Sequence, residues 1–353
     1  MRRSVRGNTL AWWLGASTAG TPHSLLLTPY CSGGKFRGMP PAVHGIHHVT
    51  CIAGDAQENL AFYVGVMGLR LVKKSVNQDA PNTYHLFYAD GAGTPGTDLT
   101  FFPWPEMEPV QPGVGLAMEV TFAVPPGSLP FWRDRLQAHG VRAGPEERRF
   151  GEAVLPFGDP HGLALALVAT ERPRPFVPWA NGVVPVEHQL RGMDGVRLWV
   201  RDAAGTAGLL TGIMGLERLG EDEGWVRFGL GDRDAGTFAE VRELPGEPRG
   251  RWGTGGVHHV AWRVHDLEEQ LALRERIDAV GRRPTPVIDR FWFTSVYFLE
   301  PGGVLFELAT DGPGFERDEE PGRLGERLIL PPWLEDRRAE IERALPPLAS
   351  PVP

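Results

Sequence analysis

One segment of this chain occurs twice. Gly45–Asp55 reads GIHHVTCIAGD and Gly256–Asp266 reads GVHHVAWRVHD, a constant 211 residues further on. A fixed internal offset constrains the fold more than composition does, because related units must pack together to bury a shared core. Each copy alternates like a strand and ends in an Asp that opens a helix. Asp55 is followed three residues later by Glu58, and Asp266 by Glu269. An acid at the N-cap with Glu at the third helical position can satisfy backbone N–H groups that a helix leaves unpaired. After Asp55, Leu60, Tyr63, Val64 and Met67 fall on one helical face, and Gly65 and Gly68 weaken and end the helix.

Two fainter copies lie between. Gly115–Val124 with Leu129–His139, and Gly195–Val200 with Ala203–Met214, are further strand–helix pairs. Short strand candidates follow each helix: Tyr84–Tyr88, Asp98–Phe102, Leu163–Val168, Trp225–Leu230 and Val304–Ala309. The turns Asp159-Pro160-His161-Gly162 and Glu300-Pro301-Gly302-Gly303 occupy matching places in two copies. The pattern predicts an α+β chain of four βαβββ modules, starting near 44, 114, 192 and 256, that form two cup-shaped, open mixed sheets. Residues 39–171 hold modules 1 and 2, and 193–312 hold modules 3 and 4. A Pro-rich linker, 172–192, separates them, and 313–353 is a charged tail with a helix candidate at Pro332–Leu345. Residues 1–38 read as a disordered leader, with Met39 as the natural start.

The 353 residues carry 36 basic and 44 acidic side chains, net −8, with no basic run, so neither nucleic acid nor an anionic membrane is an expected partner. No apolar stretch reaches the length of a membrane span. Only Cys31 and Cys51 occur, too few for a disulfide framework, which predicts a reducing, cytoplasmic setting. The sequence leaves a homo-oligomer open.

The chemistry sits in the doubled His-His pairs. Strand neighbours point to opposite faces, so one His of each pair is expected to face its counterpart across a pseudo-twofold axis. Glu307 lies in the apolar run Val304–Leu308, where a charge is costly unless paired or bound to metal. Two imidazoles and one carboxylate are the facial set of non-haem Fe(II) oxygenases. Ligands from the first and last repeats require the first module to pair with the fourth, and the second with the third. Among counterparts in other copies (Glu119, Ala166, Gly195, Thr100), only Glu119 could ligate, and it reads better as a salt-bridge or rim residue.

At these residues the chain resembles the ring-cleaving dioxygenases of the vicinal oxygen chelate superfamily, in their hydroquinone 1,2-dioxygenase-like branch. The stretches IHHVTCIAGDAQENLAFYVGVMGLRLVKKSVN, YHLFYADGAGTPGT, VPVEHQLRG, GGVHHVAW, DRFWFTSVYFLEPGGVLFELATD and GFERDEE carry the likeness, which spans nearly all of His44–Pro332. The resemblance implies His48, His259 and Glu307 as ligands of Fe(II), with His47, His258 and Tyr297 catalytic and Thr50 and Arg290 binding substrate. It implies O2 and a small aromatic as co-substrates. Alternation independently puts Thr50 on the face of His48. Arg290 and Tyr297 are expected to hold the hydroxyl of a hydroquinone that lies away from the metal. His85 and His188 fall in matching stretches without an assigned role. The rival readings are a glyoxalase-like isomerase or lyase, which would want Zn or Ni and often a fourth ligand, and a metal-free small-molecule-binding resistance protein, against which the intact triad argues.

Overall fold

The computed structural model describes residues 42–231 and 237–349. The expected leader lies outside them. The first module runs β1 (Ile46–Ala53), α1 (Ala56–Leu60, continued as a π-helical turn over Ala61–Val66), β2 (Arg70–Asn77), β3 (Ala80–Ala89) and β4 (Asp98–Pro103). The second has β5 (Leu116–Val124), α2 (Leu129–Ala138), β6 (Glu147–Arg149), β7 (Glu152–Gly158) and β8 (Ala164–Ala169). The third has β9 (Met193–Val200), α3 (Ala203–Gly212), β10 (Glu217–Asp222), β11 (Trp225–Gly229) and β12 (Phe238–Glu243). The fourth has β13 (Val257–Val264), α4 (Leu267–Ala279), β14 (Ile288–Asp289), β15 (Thr294–Leu299) and β16 (Leu305–Thr310).

The four βαβββ modules form two eight-stranded sheets, in the orders β14-β15-β16-β13-β1-β4-β3-β2 and β10-β11-β12-β9-β5-β8-β7-β6. At the centre of the first, β1 and β13 run antiparallel, while β1–β4 and β13–β16 are parallel. The first module therefore pairs with the fourth and the second with the third. Each sheet takes one module from either side of the Pro-rich segment. The core runs continuously through both sheets, with Val49, Phe101 and Trp262 in one and Leu165 and Val196 in the other. Each such side chain contributes about 1.5–3 kcal/mol on burial.

The helix starts form as the acids dictate. Glu58 N donates to Asp55 Oδ1 at 2.9 Å, and Glu269 N to Asp266 Oδ1 at 3.0 Å. The reciprocal half of the capping box is not made. Glu269 instead accepts from His265 N at 2.9 Å, and Glu58 faces His161 at 3.3 Å. Gly68 ends the π turn at φ 70, where a Cβ would also lie 2.4 Å from Val184 Cγ2, so the position demands glycine twice over.

The tail packs on the first sheet. Ile329 N donates to Lys74 O at 2.9 Å, and a parallel bridge joins Lys74 to Leu328, covering the edge strand β2. The segment before it dips into the cup, where Phe315 and Leu324 pack with Phe87, Trp292 and Phe293. The tail ends in a 3-10 turn (Pro332–Arg337) and α5 (Arg338–Ala344), in place of the single helix expected there. No helix among the described residues is long and apolar enough to cross a membrane.

Candidate metal centre

The central strand pair does not alternate cleanly. The register of β1 on β13 runs Ile46↔Trp262, then His48↔Ala261, then Thr50↔His259, then Cys51↔Val257. His47 and His258 are thus the extra residues of two symmetry-related β-bulges, and a bulge re-aims side chains. Contrary to strict alternation, the first His of each pair does not turn to the opposite face. His47 Nδ1 lies 2.9 Å from His48 Nδ1, and His258 Nδ1 lies 2.8 Å from His259 Nδ1. His47 and His48 also share one neighbour, Phe293, at ring-centroid distances of 5.4 and 5.3 Å. Two His-His pairs in a row could have signalled this, but bulge position is set by pairing that sequence does not display.

Glu307 comes from β16, in register with Ala261 of β13 and Tyr297 of β15. His48 Nε2 and His259 Nε2 stand 3.3 Å apart, and Glu307 Oε2 lies 3.4 and 2.9 Å from them. All three residues are buried, and this is the one metal-type cluster of His, Cys, Asp and Glu found among the described residues. Burial pushes the Glu307 carboxyl up, but His48 and His259 outweigh it and hold it well below the usual range. Its Oε1 accepts from Ser295 Oγ at 2.5 Å. Its Oε2, despite the nearby imidazoles, receives no hydrogen bond. A buried carboxylate oxygen without a donor is expensive, and a cation between the three atoms would satisfy it.

The paired histidines fit the same reading. A ligating Nε2 must offer its lone pair, so its proton resides on Nδ1 and needs an acceptor. His48 and His259 each have one, the Nδ1 of the preceding His. Burial, then repulsion from His48, lowers His47 to about 3, so it stays neutral. Burial, then His259, likewise takes His258 well below its usual value. His258 is held by Trp252, stacked at 4.6 Å, and by Phe102 at 5.5 Å.

The other expected residues surround this cluster. Tyr297 lies against His259, with ring centroids 5.5 Å apart, and hydrogen-bonds Ser295. Arg290 sits 5.6 Å over the Tyr297 ring and bonds Asp79 at 2.9 Å, across the cup in the β2–β3 turn. Phe291, at φ 74, makes the turn between Arg290 and the inward Trp292 and Phe293. Thr50 Oγ1 meets Thr100 Oγ1 at 2.8 Å, and Thr100 Oγ1 meets His85 Nε2 at 2.9 Å. His188 lies elsewhere, stacked on Phe131 of α2 at 4.2 Å. Sequence reading missed Ser295, which no motif marks. It also missed Lys73, a fully buried ammonium on β2 held by Asp318, Glu319 and the Phe315 carbonyl.

The second sheet has no such triad among its described residues. Glu119 and Glu240 both oppose Arg197, as His48 and Glu307 both oppose Ala261, and Gly195 stands where His259 would be. Arginines fill the space. Arg149 pairs with Glu119, and Arg197 and Arg227 pair with Glu240, at 2.7 and 2.6 Å.

Comparison with known proteins places this architecture. Residues 45–167 and 192–308 match the Glyoxalase/Bleomycin resistance protein/Dioxygenase superfamily, and the chain belongs to that family. It is 44% identical over 311 residues to the "Putative ring-cleaving dioxygenase MhqO" of Bacillus subtilis (strain 168), covering 88% of this chain and 98% of that protein. It is 32% identical over 315 residues to the chlorohydroquinone/hydroquinone 1,2-dioxygenase of Sphingobium indicum, covering 87% and 97%. A crystal structure described as a "putative dioxygenase" of Bacillus subtilis superposes with a TM-score of 0.83 at 42% identity, over 88% of this chain and 98% of that one. Glyoxalase I of Zea mays, at 16% identity and a TM-score of 0.56, shares the fold.

Proposed function

We propose that this chain is a ring-cleaving dioxygenase that holds one Fe(II) on His48, His259 and Glu307 and opens a hydroquinone-type ring with O2. The observation that carries the reading is the donor set: two converging imidazole Nε2 atoms and a buried carboxylate oxygen that accepts no hydrogen bond. When bound, ferrous iron on a facial two-His, one-carboxylate set supplies open positions for a phenolate and O2 and the redox chemistry between them. The names of the two relatives at 44% and 32% identity support the reaction class.

The chain's own residues do the rest. His47 and His258 fix the tautomers of the ligands, which leaves both Nε2 lone pairs aimed into the cup. Ser295 turns the Glu307 carboxylate by holding Oε1. Tyr297 stands next to Glu307 and His259, so its hydroxyl is suited to hold or exchange a proton at the substrate oxygen nearest the metal. Burial first, then Glu307, keeps the phenol well above its usual pKa, hence neutral and able to donate. Arg290, kept charged by its bond to Asp79 against the effect of burial, adds a positive field where negative charge develops. Thr50 adds a hydroxyl on the same face. Phe293, Phe102 and Trp252 keep water from the histidines.

The test is metal analysis followed by oxygen uptake on hydroquinones and catechols. Iron-loaded protein should consume O2 with a hydroquinone and yield a ring-opened acid. An absence of uptake with either class, alongside turnover of a glutathione- or thiol-type adduct with Zn or Ni, would move the reading to an isomerase or lyase.

A further inference from the structure

Tyr297 lies beside the metal cluster, which leaves open what holds the far end of a para-substituted ring. We propose that His85, with Ser75 beside it, is the polar subsite that takes the hydroxyl of a hydroquinone lying para to its metal-side oxygen. This rests on the hydroquinone reading above.

Three observations carry it. First, position. His85 is on β3, two strands from the His48 strand in the order β1-β4-β3. Its ring shares a hydrogen bond with Thr100, which bonds Thr50, so all three face the same concavity. Two inter-strand steps are about 10 Å. That suits a metal-to-oxygen contact, the width of one aromatic ring and a hydrogen bond laid end to end.

Second, exposure. Along Tyr84–Ala89 every side chain is buried except His85, which is half-buried although it faces the cup, its ring tilted against Phe87 at 3.8 Å and Phe102 at 4.4 Å. It therefore lines open space between two aromatic walls. Its Nε2 is engaged by Thr100, and its Nδ1 bonds no described residue. Burial holds the ring neutral, so one nitrogen can accept a phenolic proton.

Third, an orphan neighbour. Ser75 of β2 is in register with His85, is fully buried, and its Oγ has no hydrogen-bond partner. A buried hydroxyl without a partner costs roughly 1–3 kcal/mol, and a polar ligand group arriving at His85 would satisfy it. A site built to hydrogen-bond a hydroxyl rejects analogues that lack it. Phenol, which has the metal-side oxygen and no para hydroxyl, is thus the informative control.

The experiment measures anaerobic binding of hydroquinone and of phenol to iron-loaded protein by calorimetry, with iron content determined in parallel. Wild type should prefer hydroquinone about tenfold or more. His85→Phe should bring the ratio close to one while keeping its iron. Ser75→Ala should lower the ratio in the same direction by a smaller factor. His85→Gln, which retains a hydrogen-bonding group, should restore part of the preference and guards against a folding defect in the Phe variant. A ratio unchanged in His85→Phe, or abolished by Arg290→Ala alone, overturns the assignment. Oxygen uptake is scored separately. If wild type binds hydroquinone through His85 yet consumes no O2, the reaction class fails and the subsite stands.

Discussion

At the scale of single residues, the centre divides into atoms that would touch an ion and atoms that hold them still. His48→Ala, His259→Ala and Glu307→Ala each remove one of three donors, and we expect each to lose bound iron outright. Ser295→Ala should behave differently. It frees Oε1 of Glu307 and leaves the donor in place, so iron affinity should fall by about 10–100-fold without being abolished. Competition with a chelator of known affinity measures both effects. If Ser295→Ala holds iron as tightly as wild type, the 2.5 Å bond is not what aims the carboxylate. The three proposed donors, which the structure brings together, were legible in the sequence because their signals were local: a repeated His-His pair and one acid in an apolar run. Ser295 was not, because a serine on a strand is ordinary until its register with β16 is known. His85 stayed without a role for the same reason, since its meaning comes from Thr100, fifteen residues away and on another strand.

At the scale of elements, strand and helix existence followed from periodicity and caps, and the pairing of modules followed from where the metal-type residues fall, while strand register and bulges did not. Alternation predicted a divided His-His pair, and the two bulges overrode it. The tail shows the other gap. In the sequence it is marked only as charged, yet Asp318 and Glu319 reach Lys73 inside the cup. The signal was Lys73 itself, a charge in the buried face of β2, but its partners lie some 245 residues on. The ammonium also lies 5.3 Å from the Trp292 ring and 5.9 Å from Phe315. Removing one partner of a buried pair leaves the other uncompensated, at about 3–5 kcal/mol. Lys73→Met should therefore release the segment around Phe315–Glu319, seen as faster amide exchange there while β1 and β13 stay protected. Adding Glu319→Gln removes the more deeply buried of the two stranded charges and should return part of the protection. Equal loss of protection across the whole first sheet would mean that Lys73 supports the cup and not the strap across it.

At the scale of the whole molecule, duplicated cups raise the question of how many ions the chain binds. Both are built by the same pairing rule, so the second carries Glu119 and Glu240 at the places of His48 and Glu307. What differs is the source of positive charge. In the first cup His48 and His259 are the groups that converge on Glu307. In the second, Arg149, Arg197 and Arg227 stand against the two carboxylates, and Gly195 has removed the third donor. Fixed guanidiniums and a metal ion compete for the same lone pairs, so the second cup should be closed to metal and the chain should bind one iron. The two cups then fail in different ways. Glu307→Ala should empty the site with only a modest effect on folding of the metal-free protein, because its loss also removes a buried charge. Glu240→Ala leaves Arg227 with Glu152 and Arg197 with only the more distant Glu119, and should lower stability by about 2 kcal/mol. Iron per folded chain should nevertheless stay at one. Urea melts of the metal-free proteins, read beside metal analysis of the native fractions, separate the two. A wild-type stoichiometry near two, or loss of iron in Glu240→Ala without loss of stability, would place a second ion where the structure has its arginines.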